Sequence, residues 1–398
     1  MSGGRVAFVV QRCGDGVIGG AESLCLQIAA RLRPALDVEI LTTCAQSYRS
    51  WANVFAPGGA VVAGVPVRRF VVDAPRDMAS FDRLSRKIAR DPERASAQAQ
   101  QAWVRAQGPV SSALLAYVRE RAAHYDAFVF FGYLYATTSL VLPAVAHNSV
   151  LVPFAHDEWM LRLPIWDEVF RVARCVVTVS AQERDVVARR FPARSVARDA
   201  TIPPGIEAPS DRSAARFRER FGIRDPFLLY LGRVDPSKGT SALFDAVRRY
   251  RRGMRGAPKL VVAGAVETAV PNDDGIVALG PIDERAKWDA IEACELVVVP
   301  SEFESLSLVV LEAWACAKAV LVNARSGVLV GQCRRANGGV WYGTFDEFAA
   351  ALDLMDAVTR RTLGAQGAAY VAETYRWNEA VRSFFAVIDA ARGLECTG

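Results

Sequence analysis

The sequence is poor in the residues that build metal sites and covalent cross-links. Among 398 residues there are three histidines, His124, His147 and His156, and eight scattered cysteines without a CxxC pair or a Cys/His cluster. That spacing argues against a structural zinc site or a disulfide framework, and cysteines inside apolar segments act as small hydrophobes. No run of about 18 apolar residues is present, so no segment is expected to span a bilayer. The apolar strand-like stretch 6–10 follows Met-Ser-Gly-Gly-Arg directly, with no basic leader and apolar core before it, so a cytoplasmic location is expected. Charge of one sign is also scarce in excess: 48 basic against 43 acidic residues leave a net +5, far short of a nucleic-acid-binding surface. With 52% hydrophobic and 23% charged residues the chain is an ordinary folded one, and its length calls for two or three domains.

What is present is a repeated alternation of short apolar runs with longer amphipathic ones, the pattern of βαβ units on a parallel sheet. Strands are predicted at 6–10, 38–41, 128–131, 150–153 and 176–179, with helices at 21–33 and 111–123. The charged, Gln/Ala-rich region 75–108 is expected to be a helical excursion outside the core. Further strands are predicted at 227–231, 259–263, 296–299 and 319–322, and helices at 241–250, 284–293 and 308–317. Ile202-Pro-Pro-Gly-Ile-Glu207 can continue neither a helix nor a central strand, so it reads as a connection between domains. A charged helix is expected at 210–222, beyond that connection. The predicted organisation is a domain at 1–203, a second at 204–374, and a closing segment 375–398. Its amphipathic helix carries Trp377, Phe384, Phe385 and Ile388 and is expected to pack back toward the first domain. The fold class is therefore α/β, with two Rossmann-like domains expected to face a central cleft at their strand C-terminal ends.

Four segments carry candidate chemistry. Gly14-Asp-Gly-Val-Ile-Gly-Gly-Ala-Glu22 lies between the first strand and the first helix. Its glycines permit close backbone approach, and a helix N-terminus offers N–H groups to an anion, yet the spacing is not a dinucleotide fingerprint. A flexible loop is the plain alternative. Leu229-Tyr-Leu-Gly-Arg-Val-Asp-Pro-Ser-Lys-Gly239 places Arg233 and Lys238 in a short loop after a strand, where two cations can neutralise a diphosphate or simply be solvated. In the third, a buried strand ends at Pro300, a polar loop carries Glu302 and Glu304, and Ser305 or Ser307 caps an apolar helix containing Glu312. A carboxylate in that run needs a partner, which is either the hydroxyls of a ligand or a structural cation. The fourth is His156, after a buried strand, in reach of a sugar hydroxyl or a developing charge unless it is structural. His124 and His147 have no chemical context and read as structural.

Taken in order, these elements resemble the retaining glycosyltransferases of family GT4 with the GT-B fold. The match is carried by Gly19-Gly20, His156, Arg233 with Lys238-Gly239, and Glu304 with Glu312 eight positions on, the most specific part being Pro300-Ser301 through Leu311-Glu312-Ala313. Four other segments resemble a branch of bacterial surface-polysaccharide enzymes: Trp51-Ala-Asn through Phe70, Phe130-Phe-Gly-Tyr-Leu-Tyr135, Ala155-His-Asp-Glu158 and Gly331-Gln-Cys-Arg-Arg-Ala-Asn-Gly-Gly339. The resemblance implies transfer from a UDP- or GDP-linked sugar, with retention, to a glycan or lipid-linked acceptor, and without a metal or other cofactor. It implies that Arg233 and Lys238 hold the diphosphate and that Glu304 orients the donor sugar. Glu312 would bind the ribose, His156 the sugar, and Gly19-Gly20 would lie against phosphate and acceptor. Where the family often has Gly-Phe-Gly-Leu this chain has Ser305-Leu306-Ser307-Leu308, so donor identity does not carry across.

The same resemblance leaves an epimerase or hydrolase on this fold, or a non-catalytic subunit, as alternatives. The arginine run Arg248, Arg249, Arg251, Arg252 and Arg255 either docks on an anionic membrane at its inner face or is a solvated helix end. Trp51, Tyr133 and Tyr135 are either acceptor-side aromatics or core.

Overall fold

The computed structural model describes residues 4–17, 19–194, 198–254 and 256–393. The chain divides into two compact units, Met1–Pro204 with Asn378–Gly398, and Gly205–Trp377.

The first unit is built on eight strands: β1 (Arg5–Arg12), β2 (Asp37–Thr43), β3 (Gly58–Val62), β4 (Val65–Phe70), β5 (Ala127–Phe131), β6 (Ser149–Val152), β7 (Cys175–Thr178) and β8 (Ala200–Thr201). Their order is β3-β4-β2-β1-β5-β6-β7-β8, parallel throughout except for the β3–β4 pair. The central strands are apolar on both faces because helices cover both sides, the composition a parallel sheet requires. Between β1 and β2 the helix Gly20–Leu32 buries Leu24, Cys25, Ile28, Ala29 and Leu32, the stripe that a 3.6-residue period turns toward the sheet.

The β3–β4 hairpin escapes the sequence reading. Its turn places Ala63 at φ 47° and Gly64 at φ 77°, the left-handed pair of a tight two-residue hairpin, and Ala-Gly is a weak signal for it. Val61 at the sheet edge is 70% exposed, so the strand lacks the buried apolar run that marks its neighbours.

The region 75–108 is a correction. It forms the helices Met78–Ile88 and Ala97–Gln107, as a helical excursion should, but it is part of the core. Trp103 is fully buried, packed edge-on against Trp159 at 5.5 Å and Trp166 at 6.4 Å, with its indole N–H donating to Ser85 Oγ at 2.9 Å. One tryptophan buries more apolar surface than the surrounding Gln and Ala residues suggest.

The second unit holds β9 (Phe227–Leu231), β10 (Lys259–Ala263), β11 (Ile276–Gly280), β12 (Leu296–Val299), β13 (Val320–Asn323) and β14 (Gly339–Tyr342). The order is β11-β10-β9-β12-β13-β14, all parallel. The expected charged helix is Ala214–Phe221, capped by Ser213 and ended by Gly222 in the left-handed region. The helix after β12 runs Leu308–Ala315 and stops short of the expected Ala317, whose φ of 52° ends any helix.

The closing helix Trp377–Ala391 belongs, from Asn378 on, to the first unit. There Ala390 O accepts from Arg174 Nε at 3.1 Å, and Phe384 and Ile388 are buried. Among the described residues no helix is long and apolar enough to cross a membrane. Seven cysteines are free and buried, while Cys396 lies outside the described residues.

Candidate active site

The candidate residues fall into two groups, one in each unit. In the second unit, Gly232 follows β9, and Gly264 follows β10 so close beside it that a Cβ on Gly264 would lie 2.0 Å from Gly232 O. The chain then turns through Arg233 to Asp235, whose side chain accepts from Ser237 N at 2.9 Å and caps the short turn Pro236–Lys238. Gly239 sits at φ 72°, and a Cβ there would come within 2.4 Å of Pro300 O. This is a close approach that only glycine allows. It presses the loop after β9 against the end of β12.

The result is an ion pair across 66 residues: Lys238 Nζ donates to Glu304 Oε1 at 2.9 Å. Arg233 stands beside them, its Nε 3.9 Å from Asp235 Oδ2 and its carbonyl accepting from the Tyr230 phenol at 2.6 Å. Burial pushes the Tyr230 hydroxyl up, and Glu304, Arg233 and Asp235 all act on it electrostatically. Arg233, Lys238 and Glu304 are therefore gathered at the C-terminal ends of β9 and β12.

In the segment 300–312, Pro300 O accepts from Asn323 Nδ2 at 2.8 Å, which ties the loop to β13. Ser305, Leu306 and Ser307 are buried, and Ser307 is the helix cap, its hydroxyl accepting from Val310 N. Leu308 opens the helix. None of these four residues has a positive φ, so serines in place of the family's glycines adopt backbone that any residue tolerates.

Glu312 meets Lys287 Nζ at 2.6 Å, and Lys287 also contacts Glu284 at 2.7 Å. Burial pushes the Glu312 carboxyl up and Lys287 pulls it back down. Lys287 is a residue that the sequence reading missed. It lies on the helix Glu284–Ala293 with no local pattern that points 25 positions ahead. Both glutamates thus carry a lysine partner, which satisfies their charge while leaving acceptor lone pairs for hydroxyl donors.

In the first unit, Gly19 caps the helix Gly20–Leu32, and a Cβ there would sit 2.1 Å from Glu22 Oε2. Glu22 is buried and takes the Arg12 Nε at 2.9 Å, while Arg12 Nη1 donates to Gln46 O at 2.9 Å. The expectation that this helix N-terminus stands open to an external anion is corrected: the Glu22 carboxylate already lies against it.

His156 follows β6 after a left-handed Phe154 at φ 52°, with its Nδ1 3.3 Å from Glu158 Oε1 and the ring 25% exposed. The fully buried Glu183, another residue missed from sequence, accepts from Ala155 N at 2.6 Å and Val179 N at 2.7 Å. Burial pushes its carboxyl up to about 7. β6 and β1 are separated by β5, so His156 and Gly19-Gly20 sit at the ends of two different strands of one sheet.

Trp51 and Tyr133 are core, each 1% exposed, and Trp51 donates to Gln107 O at 2.8 Å. Tyr135 packs edge-on against Trp51 at 5.9 Å. In the arginine run, Arg248 donates to Asp273 at 3.0 Å, Arg249 lies 3.7 Å over Phe345, and Arg251 donates to Ala257 O. These contacts favour the plain reading of that run, and Arg255 lies outside the described residues. Among the described residues no three His, Cys, Asp or Glu side chains converge as a metal site.

Residues 211–361 match the family model for glycosyl transferases group 1. A D-inositol 3-phosphate glycosyltransferase of Xylanimonas cellulosilytica is 28% identical over 60% of this chain and 62% of its own length. The chain spans between about a third and three fifths of the curated relatives it matches. Among solved structures, a sucrose-phosphate synthase from Thermosynechococcus elongatus superposes with a TM-score of 0.71 at 18% identity, over 97% of this chain and 98% of that one. Anabaena HepE in complex with UDP and glucose gives 0.70 at 15% identity, over 97% and 100%. The second unit carries a glycosyl transferases group 1 domain, and the chain as a whole has the fold of the GT-B glycosyltransferases, with two Rossmann-like sheets.

Proposed function

We propose that the protein is a retaining glycosyltransferase that moves a sugar from a nucleotide-diphosphate donor to a glycan or lipid-linked acceptor in surface-polysaccharide synthesis. One observation carries the reading. The Lys238–Glu304 pair brings a cation and a carboxylate from distant segments to adjoining strand ends, with Arg233 beside them. Strand C-terminal ends are where open α/β sheets bind ligands. Two cations there suit a diphosphate, which must leave carrying extra negative charge, and fixed cations stabilise that charge as it develops. In this role Arg233 and Lys238 hold the leaving diphosphate, so transfer proceeds without a metal. Glu304 accepts sugar hydroxyls and Glu312 accepts the ribose hydroxyls. His156, in the first unit, bonds the transferred sugar, and the Gly19-Gly20 loop borders the acceptor.

UDP is the donor nucleotide to test first, since HepE was solved with UDP and glucose. The curated relatives named for D-inositol 3-phosphate put that compound on the acceptor panel beside lipid-linked saccharides. A lipid-linked acceptor would bring the protein to the inner face of a membrane, which flotation with acceptor-loaded liposomes checks.

The deciding experiment has two stages. UDP or GDP should raise the melting temperature, and a nucleotide sugar should be consumed in the presence of acceptor with EDTA included. Lys238→Ala and Glu304→Ala should each lose transfer by about 10²-fold or more, the usual scale for removing an electrostatic stabiliser. Normal transfer by both variants would remove the assigned roles. Fast release of free sugar or an epimer without acceptor would favour a hydrolase or epimerase.

A further inference from the structure

Glu183 lies in the first turn of the helix Ala181–Arg190, yet it is fully buried. No lysine or arginine among the described residues pairs with it. A carboxylate in that position costs several kcal/mol unless the fold supplies compensating donors. The donors here are backbone N–H groups from two different strand ends. Ala155, just beyond β6, donates at 2.6 Å, and Val179, just beyond β7, donates at 2.7 Å. Phe154 N–H faces the same carboxylate.

The side chain therefore reaches well past an ordinary capping box, of which Ser180 Oγ accepting from Glu183 N at 3.1 Å is one half. What it holds is a strained turn. Phe154 adopts φ 52°, which for a bulky aromatic costs on the order of 1–3 kcal/mol and persists only where surrounding contacts enforce it. The residue after this clamped pair is His156, whose ring is also approached by Glu158 at 3.3 Å.

We propose that Glu183 is a positioning residue for His156: by gripping the N–H groups of Ala155 and Val179 it locks the left-handed turn that aims the imidazole at the transferred sugar. The proposal rests on the glycosyltransferase reading above. Glu183 itself touches no substrate and moves no proton. It fixes where the chain delivers the imidazole, and a displacement of about 1 Å in such a group costs up to about 10²-fold in rate.

The test uses Glu183→Gln, which keeps the shape but turns one acceptor oxygen into an amide donor facing N–H groups. Its kcat should fall about 10²-fold with donor KM within roughly threefold, because the donor's phosphates are held in the other unit. In a His156→Ala background the same substitution should cost nothing further in kcat, since the group it positions is gone. Equal losses in both backgrounds, or an unchanged kcat, would overturn the proposal and leave Glu183 as a stability residue only. Glu183→Asp, one methylene shorter, reaches one of the two N–H groups and should lose less. It decides the matter if the glutamine variant does not fold.

A readout independent of turnover is available because the chain has three histidines. In histidine-labelled protein, Glu183→Gln should move the ring NMR signals of His156 and leave those of His124 and His147 in place. Unmoved His156 signals would overturn the positioning role even if the protein transfers no sugar at all. Absence of turnover in the wild type would instead count against the glycosyltransferase reading alone.

Discussion

Replacing Lys287 by methionine removes the cation that faces Glu312 and leaves a mostly buried carboxylate without it. The two side chains are 20% and 13% exposed, so water screens the pair weakly. Charge centres about 4 Å apart at an effective permittivity of about 20 attract by about 4 kcal/mol. Part of that is returned by residual solvent and relaxation, so the expected loss is roughly 2–4 kcal/mol, near the range for stripping one partner from a buried pair. The loss should depend on pH in a definite direction. Burial already raises the Glu312 carboxyl, and Lys287 opposes that rise, so its removal raises the carboxyl further. A raised folded-state carboxyl favours folding at low pH and loses that advantage as pH rises through its value. The deficit of Lys287→Met should therefore be larger at pH 8 than at pH 5. Urea unfolding at both values measures it, and amide exchange in the helices Glu284–Ala293 and Leu308–Ala315 localises it. A deficit under about 0.5 kcal/mol, the scale of an exposed pair, or one identical at both values, would refute the reasoning. Pairing the change with Glu312→Leu separates structure from function. The double variant should regain stability, because an apolar pair replaces an ion pair, yet it should lose nucleotide affinity if Glu312 grips the ribose.

Three further outcomes are expected. Trp103→Ala should lose about 3–5 kcal/mol in urea unfolding, as a large buried aromatic does when a cavity replaces it. A loss under about 1 kcal/mol would put 75–108 outside the core after all. Gly239→Ala should cost on the order of 1–3 kcal/mol, because a Cβ at φ 72° meets Pro300 O, and it should weaken nucleotide protection by displacing Lys238. Unchanged nucleotide protection in a melting assay would show that the glycine does not set the lysine. Finally, the Glu183 carboxyl, raised from 4.5 to about 7, gives stability that is complete below its ordinary value and is lost as pH climbs through 7. Wild-type stability relative to Glu183→Gln should therefore fall by up to about 1.4 kcal/mol per pH unit between pH 5 and 7, and a flat difference would contradict the burial argument.

The sheets were legible where strands are buried on both faces. The bounds of β9, β10 and β12 follow directly from short runs of Leu and Val between turn residues, since a parallel strand covered by helices has no polar side. The edge elements were not legible for the converse reason. β3 and β11 each have a half-solvated face; the Ala63-Gly64 turn after β3 is a weak signal, and the Asp274-Gly275 turn before β11 leads into a parallel edge strand rather than closing a hairpin. At the candidate site, sequence supplies chemical type and order but not partners. Glu304 and Lys238 were both singled out, yet their 2.9 Å meeting depends on Gly239 lying against Pro300, a contact no spacing encodes. Lys287 and Glu183 sit on charged helices where a lysine or glutamate is ordinarily solvated, so nothing local distinguishes them. The Gly19 reading changed most. Its missing side chain makes room for Glu22, so the loop's glycine is explained within the fold.

The most direct test of the account is the stereochemistry of the product. Incubating the protein with an α-configured UDP-sugar and the acceptor panel, and following the anomeric proton by NMR, should show UDP release coupled to formation of an α-linked glycoside. The Lys238→Ala and Glu304→Ala variants should form none at a comparable rate. A β-linked product would contradict retention, and consumption of the donor that is indifferent to both substitutions would contradict the site at the ends of β9 and β12.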